Sequence, residues 1–157
     1  MDVKIREAKD ADRSVFWRAT LETAWGDIPD DEKALINRQE FNLHFKQAAQ
    51  PYLEDRNNKL FVAEDGEGSF LGYTLLGSSE PFYSPKPLGF IFDIYVEEKA
   101  RRMGVAQKLL DFAFDWFKGQ GLKKVKLEVA ESNWRARSLY LKMGFKQERH
   151  VMGRQLR

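Results

Sequence analysis

The segment Phe90-Ile91-Phe92-Asp93-Ile94-Tyr95-Val96-Glu97-Glu98-Lys99-Ala100-Arg101-Arg102-Met103-Gly104-Val105-Ala106 joins an apolar strand pattern to a helix pattern through a basic turn. From Gly104 onward Val105, Leu109, Phe112 and Trp116 recur at helical spacing, with Ala106, Leu110, Ala113 and Phe117 alongside, until Gly119 and Gly121 stop the run. An apolar face that wide must pack on a sheet. At the mouth of such a helix the first backbone N–H groups lack intrahelical partners and the dipole is positive, so the main chain itself can hold a phosphate. Gly104 and Ala106 keep that surface bare, and Arg101 and Arg102 offer forked donors to an anion. The same turn, taken alone, reads equally well as a solvated loop. It is neither a Walker A loop nor a G-x-G-x-x-G dinucleotide turn.

Working outward, Val125, Leu127 and Val129 alternate with Lys124, Lys126 and Glu128 as a strand does. Asn133 caps a further helix carrying Ala136, Leu139, Tyr140 and Met143, which Gly144 closes, and Phe145 onward is expected to return as a final strand or pair. Upstream, Leu88 to Val96 is a strand behind a loop holding Pro81, Pro85 and Pro87. Leu60 to Glu64 and Phe70 to Leu76, separated by Asp65-Gly66-Glu67-Gly68, read as a hairpin. Val3 to Ala8 suggests a short strand. A helix over Val15, Phe16, Ala19, Leu21 and Trp25 breaks at Gly26 and Pro29, and a second is predicted to run from Asp30-Asp31-Glu32 towards Pro51. The order predicts an α/β fold, a mixed, mostly antiparallel central sheet with helices on both faces, in a single domain over residues 1–157.

Composition narrows the chemistry. The 26 Lys plus Arg against 24 Asp plus Glu lack the basic excess of a general nucleic-acid binder. With no cysteine there is no disulfide, thiolate zinc site or cysteine nucleophile, and His44 and His150 stand in no metal spacing, so no metal is expected. The start has no signal-peptide character and no apolar run is long enough to cross a bilayer, which predicts a cytoplasmic protein without a membrane partner.

Arg101-x-x-Gly104-x-Ala106 after the strand ending at Val96 resembles the acetyl-CoA pyrophosphate loop of the GCN5-related N-acetyltransferases, Arg/Gln-x-x-Gly-x-Gly/Ala. Downstream, Asn133, Ala136, Tyr140, Gly144 and Phe145 resemble that family's second motif, Asn-x-x-Ala-x-x-x-Tyr followed by Gly-Phe. The likeness is strong over roughly residues 88 to 149. Glu98 stands where the family often has Pro, and Ala100 where it often has a bulkier residue, which bears on loop geometry more than on activity.

The resemblance implies acetyl-CoA as cosubstrate, with contacts from Ile94, Tyr95 and Val96, from the loop Arg101, Arg102, Met103, Gly104, Val105 and Ala106, and from Asn133, Tyr140 and Lys142. It implies a strand at Ile94 to Val96 splayed from its neighbour, whose main chain bonds the pantetheine arm and supplies an oxyanion contact near Ile94. It also gives Tyr140 the role of protonating the departing thiolate; read by spacing alone, that tyrosine is a core residue. Asp93 is the candidate base for the attacking amine, because a carboxylate in an apolar strand is costly unless paired, hydrated or working. Two other readings are open for it, a pair with a neighbouring Arg or the mark of a bulge. Arg135, Arg137 and Lys142 either reach the ribose phosphate or form a solvated helix face. The acids Asp27, Asp30, Asp31 and Glu32 either attract a cationic amine or favour a helix start. Trp25, Trp134 and His44 read as packing or surface residues.

The expected reaction is direct acetyl transfer to a primary amine, of a small cationic or polyamine-like molecule. The alternatives are a protein N-terminal or lysine acetyltransferase and a non-catalytic acyl-CoA-binding regulatory module. A homodimer, with the final strand pairing across two chains, is a further expectation.

Overall fold

The computed structural model describes residues 2–156. A single sheet runs in the order β1 (Lys4–Glu7), β2 (Lys59–Glu64), β3 (Phe70–Ser79), β4 (Leu88–Val96) and β5 (Val125–Leu127). The first four strands are antiparallel neighbours and β5 lies parallel to β4, which gives the mixed, mostly antiparallel sheet predicted. The turn between β2 and β3 is built by Asp65, whose Oδ1 accepts from the amides of Glu67 and Ser69, and by left-handed Gly68 at φ 82°.

Helices cover both faces. On one side lie α1 (Arg13–Asp27) and α3 (Arg38–Glu54), which bring Phe16, Ala19 and Leu53 against Val62 and Tyr73. On the other lies α4 (Val105–Gly119), whose Leu110, Ala113 and Phe117 pack on Phe61, Leu76 and Ile91, while Val105 and Leu109 meet Ala63 and Leu71. On β2 the two sets alternate, Phe61 and Ala63 against Val62, as the period of two in a strand requires, while on β3 a register shift that leaves Leu71 unpaired puts Leu71 and Tyr73 on opposite faces. A short α5 (Trp134–Lys142) begins at Asn133, whose Oδ1 accepts from the Ala136 amide at 3.3 Å, and brings Tyr140 into the α4 cluster.

Two segments depart from the sequence reading. The single helix predicted from Asp30 to Pro51 is two: α2 (Asp30–Lys33) stops, and α3 restarts where Asn37 Oδ1 caps the Glu40 amide at 2.9 Å. Pro51 does not end α3, which continues to Glu54. The final strand expected from Phe145 is not formed, and residues 143–156 carry no regular structure. That segment is charged rather than alternating. It is held by side chains: Phe145 packs on Phe114 and Tyr140, and Glu148 pairs with Lys124 and Lys126 beside β5.

Candidate active site

A bulge decides where Asp93 points. Leu75 pairs with Asp93 and Leu76 with Ile91, so Phe92 is an extra residue on β4. Strict alternation would turn Asp93 to the same face as Ile91, into the α4 core. The added residue turns it instead towards α1, where Thr20 Oγ1 and the Tyr73 hydroxyl each donate to Asp93 Oδ2 at 2.7 Å. Of the two other readings of Asp93, no arginine among the described residues pairs with it, and the bulge is present, one residue away. Burial pushes the Asp93 carboxyl above the ordinary aspartate value, opposed by the donations from Tyr73, Thr20 and the Ile94 amide, and Asp27 adds to the rise. Burial and the neighbouring Asp93 charge hold the Tyr73 hydroxyl well above its usual range, so it stays a donor.

The second feature is a gap. β4 and β5 pair at Gly89–Val125, Phe90–Lys126 and Ile91–Leu127, and beyond those rungs no strand among the described residues pairs with β4 on that side. The Glu97 amide donates to Leu71 O across the β3 side, so alternate residues 95 and 93 share that direction and Ile94 and Val96 turn their main-chain groups to the gap. The strand is thus splayed as the family resemblance implied.

At the end of the gap lies the loop. Gly104 sits at φ 80° and ψ 10°, immediately before α4, and a Cβ built on it meets no atom within 4 Å. Arg102, at φ 64°, is the one other left-handed residue of the loop. Arg101, Arg102, Met103 and Gly104 are exposed, so no packed side chain plugs the helix mouth, while Val105 is buried beneath it and Ala106 partly so. Arg101 braces the turn, its Nε donating to Val96 O at 3.1 Å.

A cavity of about 430 Å³ opens on the α1 and α3 side of β4. Asp93, Ile94, Asn133 and Tyr140 all line it, although the sequence separates them by up to 47 residues, the span from 93 to 140. Burial, then Asp93 and Asp27, push the Tyr140 hydroxyl up to about 12. Asp27 lines the same cavity from α1; it is exposed as a whole, yet partial loss of water raises its carboxyl, with Lys33 opposing. Asp30, Asp31 and Glu32 are not in the lining and open α2 instead. Lys142 is exposed on α5, Arg135 stacks over Trp134, and Arg137 pairs with Glu131 at 3.5 Å; none of the three lines the cavity. Trp25 packs edge-on against Phe41, and His44 and Trp134 are exposed.

Sequence reasoning missed Thr20, Tyr73 and Glu128, which joins the lining just after β5. Thr20 carried a faint signal, being a hydroxyl beside Phe16 and Ala19 on the buried stripe of α1. Tyr73 carried none until the β3–β4 register set it opposite Tyr95. Among the described residues no group of three or more His, Cys, Asp or Glu is placed to hold a metal.

Comparison with known proteins agrees with this geometry. Residues 17–145 match the profile of the Acetyltransferase (GNAT) family. The uncharacterized N-acetyltransferase YhfO of Bacillus subtilis is 31% identical over 96 residues, covering 61% of this chain and 64% of that protein. The chain therefore spans just under two thirds of that relative's length. The streptothricin acetyltransferase of Escherichia coli is 30% identical over 126 residues, covering 74% of this chain and 72% of its own. Among solved structures, AAC(6')-Iy in complex with a bisubstrate analog, CoA-S-monomethyl-acetylneamine, superposes with a TM-score of 0.69 at 18% identity, covering 100% of this chain and 99% of that one. With the family profile running from within α1 to Phe145, well over half of its length, the chain belongs to the GNAT family of acetyltransferases.

Proposed function

We propose that residues 1–157 form one catalytic domain that moves an acetyl group from acetyl-CoA to a primary amine of a small cationic molecule, by direct attack. One observation carries the reading: the gap between β4 and β5 has a stretch of β4 main chain that β5 does not pair along one wall, an open helix mouth at its end, and Asp93 and Tyr140 in the cavity beside it.

The residues present fit the cosubstrate. Left-handed Gly104 leaves room in front of the first amides of α4, where a diphosphate gains from the dipole and from Arg101 and Arg102. The loop residues Met103, Val105 and Ala106 offer main chain there, and Asn133 and Lys142 lie towards the α5 side. Tyr95 stacks on Tyr73 and so holds β4 in line, while Ile94 and Val96 accept an extended arm as an added strand. When bound, acetyl-CoA supplies an activated thioester. The Ile94 amide, which in the free protein also reaches the Asp93 carboxyl, faces the gap and stabilises charge developing on the carbonyl oxygen.

The ammonium of the acceptor first loses one proton to solvent to become a nucleophile, and Asp93 takes the second from the nitrogen as the C–N bond forms and the C–S bond breaks. Tyr140, at about 12, lies above the ~8.5 of an ordinary thiol, so its hydroxyl first stabilises the departing sulfur by hydrogen bonding. It then passes its proton on and recovers one from Asp93 through solvent, which leaves a neutral thiol and an unchanged site.

A cavity of about 430 Å³ suits a small molecule better than a peptide groove, and Asp27 in its lining favours a cation. The streptothricin acetyltransferase and the aminoglycoside-type analog among the relatives support the same class of acceptor. The test is free-thiol release from acetyl-CoA across diamines, aminoglycosides and peptides. Cationic small amines should turn over, and Tyr140→Phe should lower turnover more than coenzyme binding. Coenzyme A uptake with no thiol release above background would replace this reading with the regulatory module.

A further inference from the structure

Asp93 is held in an asymmetric way. Both hydroxyls that reach it, Thr20 Oγ1 from α1 and Tyr73 from β3, end on Oδ2, each at 2.7 Å, and neither reaches Oδ1. A carboxylate buried for structural reasons alone gains most when its donors are spread over both oxygens. Here one oxygen is doubly engaged beside a cavity that the residue itself lines.

The two donors are rigid. Tyr73 is 1% exposed, with its ring edge-on to Phe16 at 4.9 Å and stacked on Tyr95 at 5.6 Å. Tyr95 in turn donates to Glu97 at 3.4 Å, and Glu97 pairs with Arg18, two residues before Thr20 on α1. Thr20 is 5% exposed on the buried stripe of α1. The main chain of Asp93 is held too: Asp93 O accepts from Thr74 Oγ1 at 3.0 Å, so backbone and side chain of Asp93 are both fixed. Swinging the carboxyl would break two hydrogen bonds to a charged group.

We infer that Tyr73 and Thr20 are positioning residues, which pin Oδ2 of Asp93 and present Oδ1 to the cavity as the atom that takes the amine proton. The inference rests on Asp93 acting as the base. The other ionisable groups in its surroundings are Asp27 on α1, Tyr52 on α3, Tyr95 on its own strand, Glu128 after β5 and Tyr140 on α5. Of these, Asp27 and Asp93 both raise the Tyr140 hydroxyl, and Asp27 raises Asp93, so the two carboxylates and the phenol form one electrostatic unit. Hydroxyl donation from Tyr73 and Thr20, followed by the Ile94 amide, favours the ionised base within that unit.

Two measurements test this. In the first, carbon-13 NMR follows the Asp93 carboxyl through a pH titration of the free protein and of Tyr73→Phe and Thr20→Val. Each variant should move the midpoint upward, and Thr20→Ser should return it. A midpoint unmoved in a folded Tyr73→Phe protein overturns the proposal. In the second, kcat/KM is measured against pH. Each variant should lose about ten-fold on the acidic limb of the profile, the size expected for one hydrogen bond to a charged group, and recover towards the parent at higher pH with the coenzyme KM unchanged. A loss equal at every pH would make the two residues structural only. The titration reads the clamp without turnover, so its failure is separable from failure of the acetyl-transfer reading, which thiol release by the unsubstituted chain decides.

Discussion

Gly104→Ala separates the backbone cost of the loop from its grip on coenzyme A. Gly104 lies at φ 80°, where an L-residue strains against its own carbonyl by about 1–2 kcal/mol. Because a Cβ there meets nothing within 4 Å, no packing penalty is added. At about 2–4 °C per kcal/mol for a chain of this size, Tm should fall by roughly 2–8 °C. The binding effect is distinct. The alanine can relieve its strain only by rotating the turn, which re-aims the first amides of α4, and restoring their aim for a diphosphate reintroduces the same cost. Since 1.4 kcal/mol is ten-fold, coenzyme A affinity should drop about ten-fold, while pantetheine, which lacks the diphosphate, should bind as before. Gly104→Asn is the control, because Asn tolerates the left-handed region: Tm should largely recover, yet its side chain stands in the open mouth and affinity should stay low. Calorimetric titration with both ligands and thermal melts of the three proteins provide the data. A Tm drop of the expected size with coenzyme A affinity unchanged would refute the helix mouth as the diphosphate site.

Three further outcomes are expected. Asp27→Asn should raise KM for a diamine about three- to five-fold, the modest size of a partly exposed ion pair, and leave KM for acetyl-CoA alone; steady-state kinetics with a diamine and a neutral-tailed amine check it. Burial raises the folded-state pKa of Asp93 above its unfolded value, so stability falls as pH rises from the ordinary aspartate range through the folded pKa and then levels. Asp93→Asn should remove that slope in urea unfolding across pH while abolishing the basic function, and a slope like the parent's would show that Asp93 is not the group responsible. Asn133→Ala should cost about 1 kcal/mol through loss of the α5 cap, read as a lower urea midpoint at unchanged m.

The elements that stood out in the sequence were those whose pattern is local. The wide apolar face of α4, the Asp65–Gly68 turn and the Asn133 cap each announce themselves within a few residues, and all three are where they were predicted. The break between α2 and α3 was missed because apolar spacing runs on across it through Leu35 and Ile36, while the deciding signal was one cap at Asn37. The last strand was overcalled because it was expected from the order of elements and not from its own charged residues. Of the cavity lining, Tyr140 stands out in the sequence by its motif and Asp93 by the oddity of a carboxylate in an apolar strand. Their partners were not. Thr20 and Tyr73 reach Asp93 only because a one-residue bulge at Phe92 reverses the face of β4, and no periodicity encodes that reversal in advance.

The brevity of the β4–β5 junction has a consequence for where the molecule breathes. Three rungs tie β5 to its neighbour, against eight paired positions between β3 and β4, so amide exchange should begin at β5 and spread into α5 long before the antiparallel strands open. A ligand threaded through that seam would act as a temporary sixth strand, slowing exchange on both sides of it at once, and the protection it confers would map its path residue by residue.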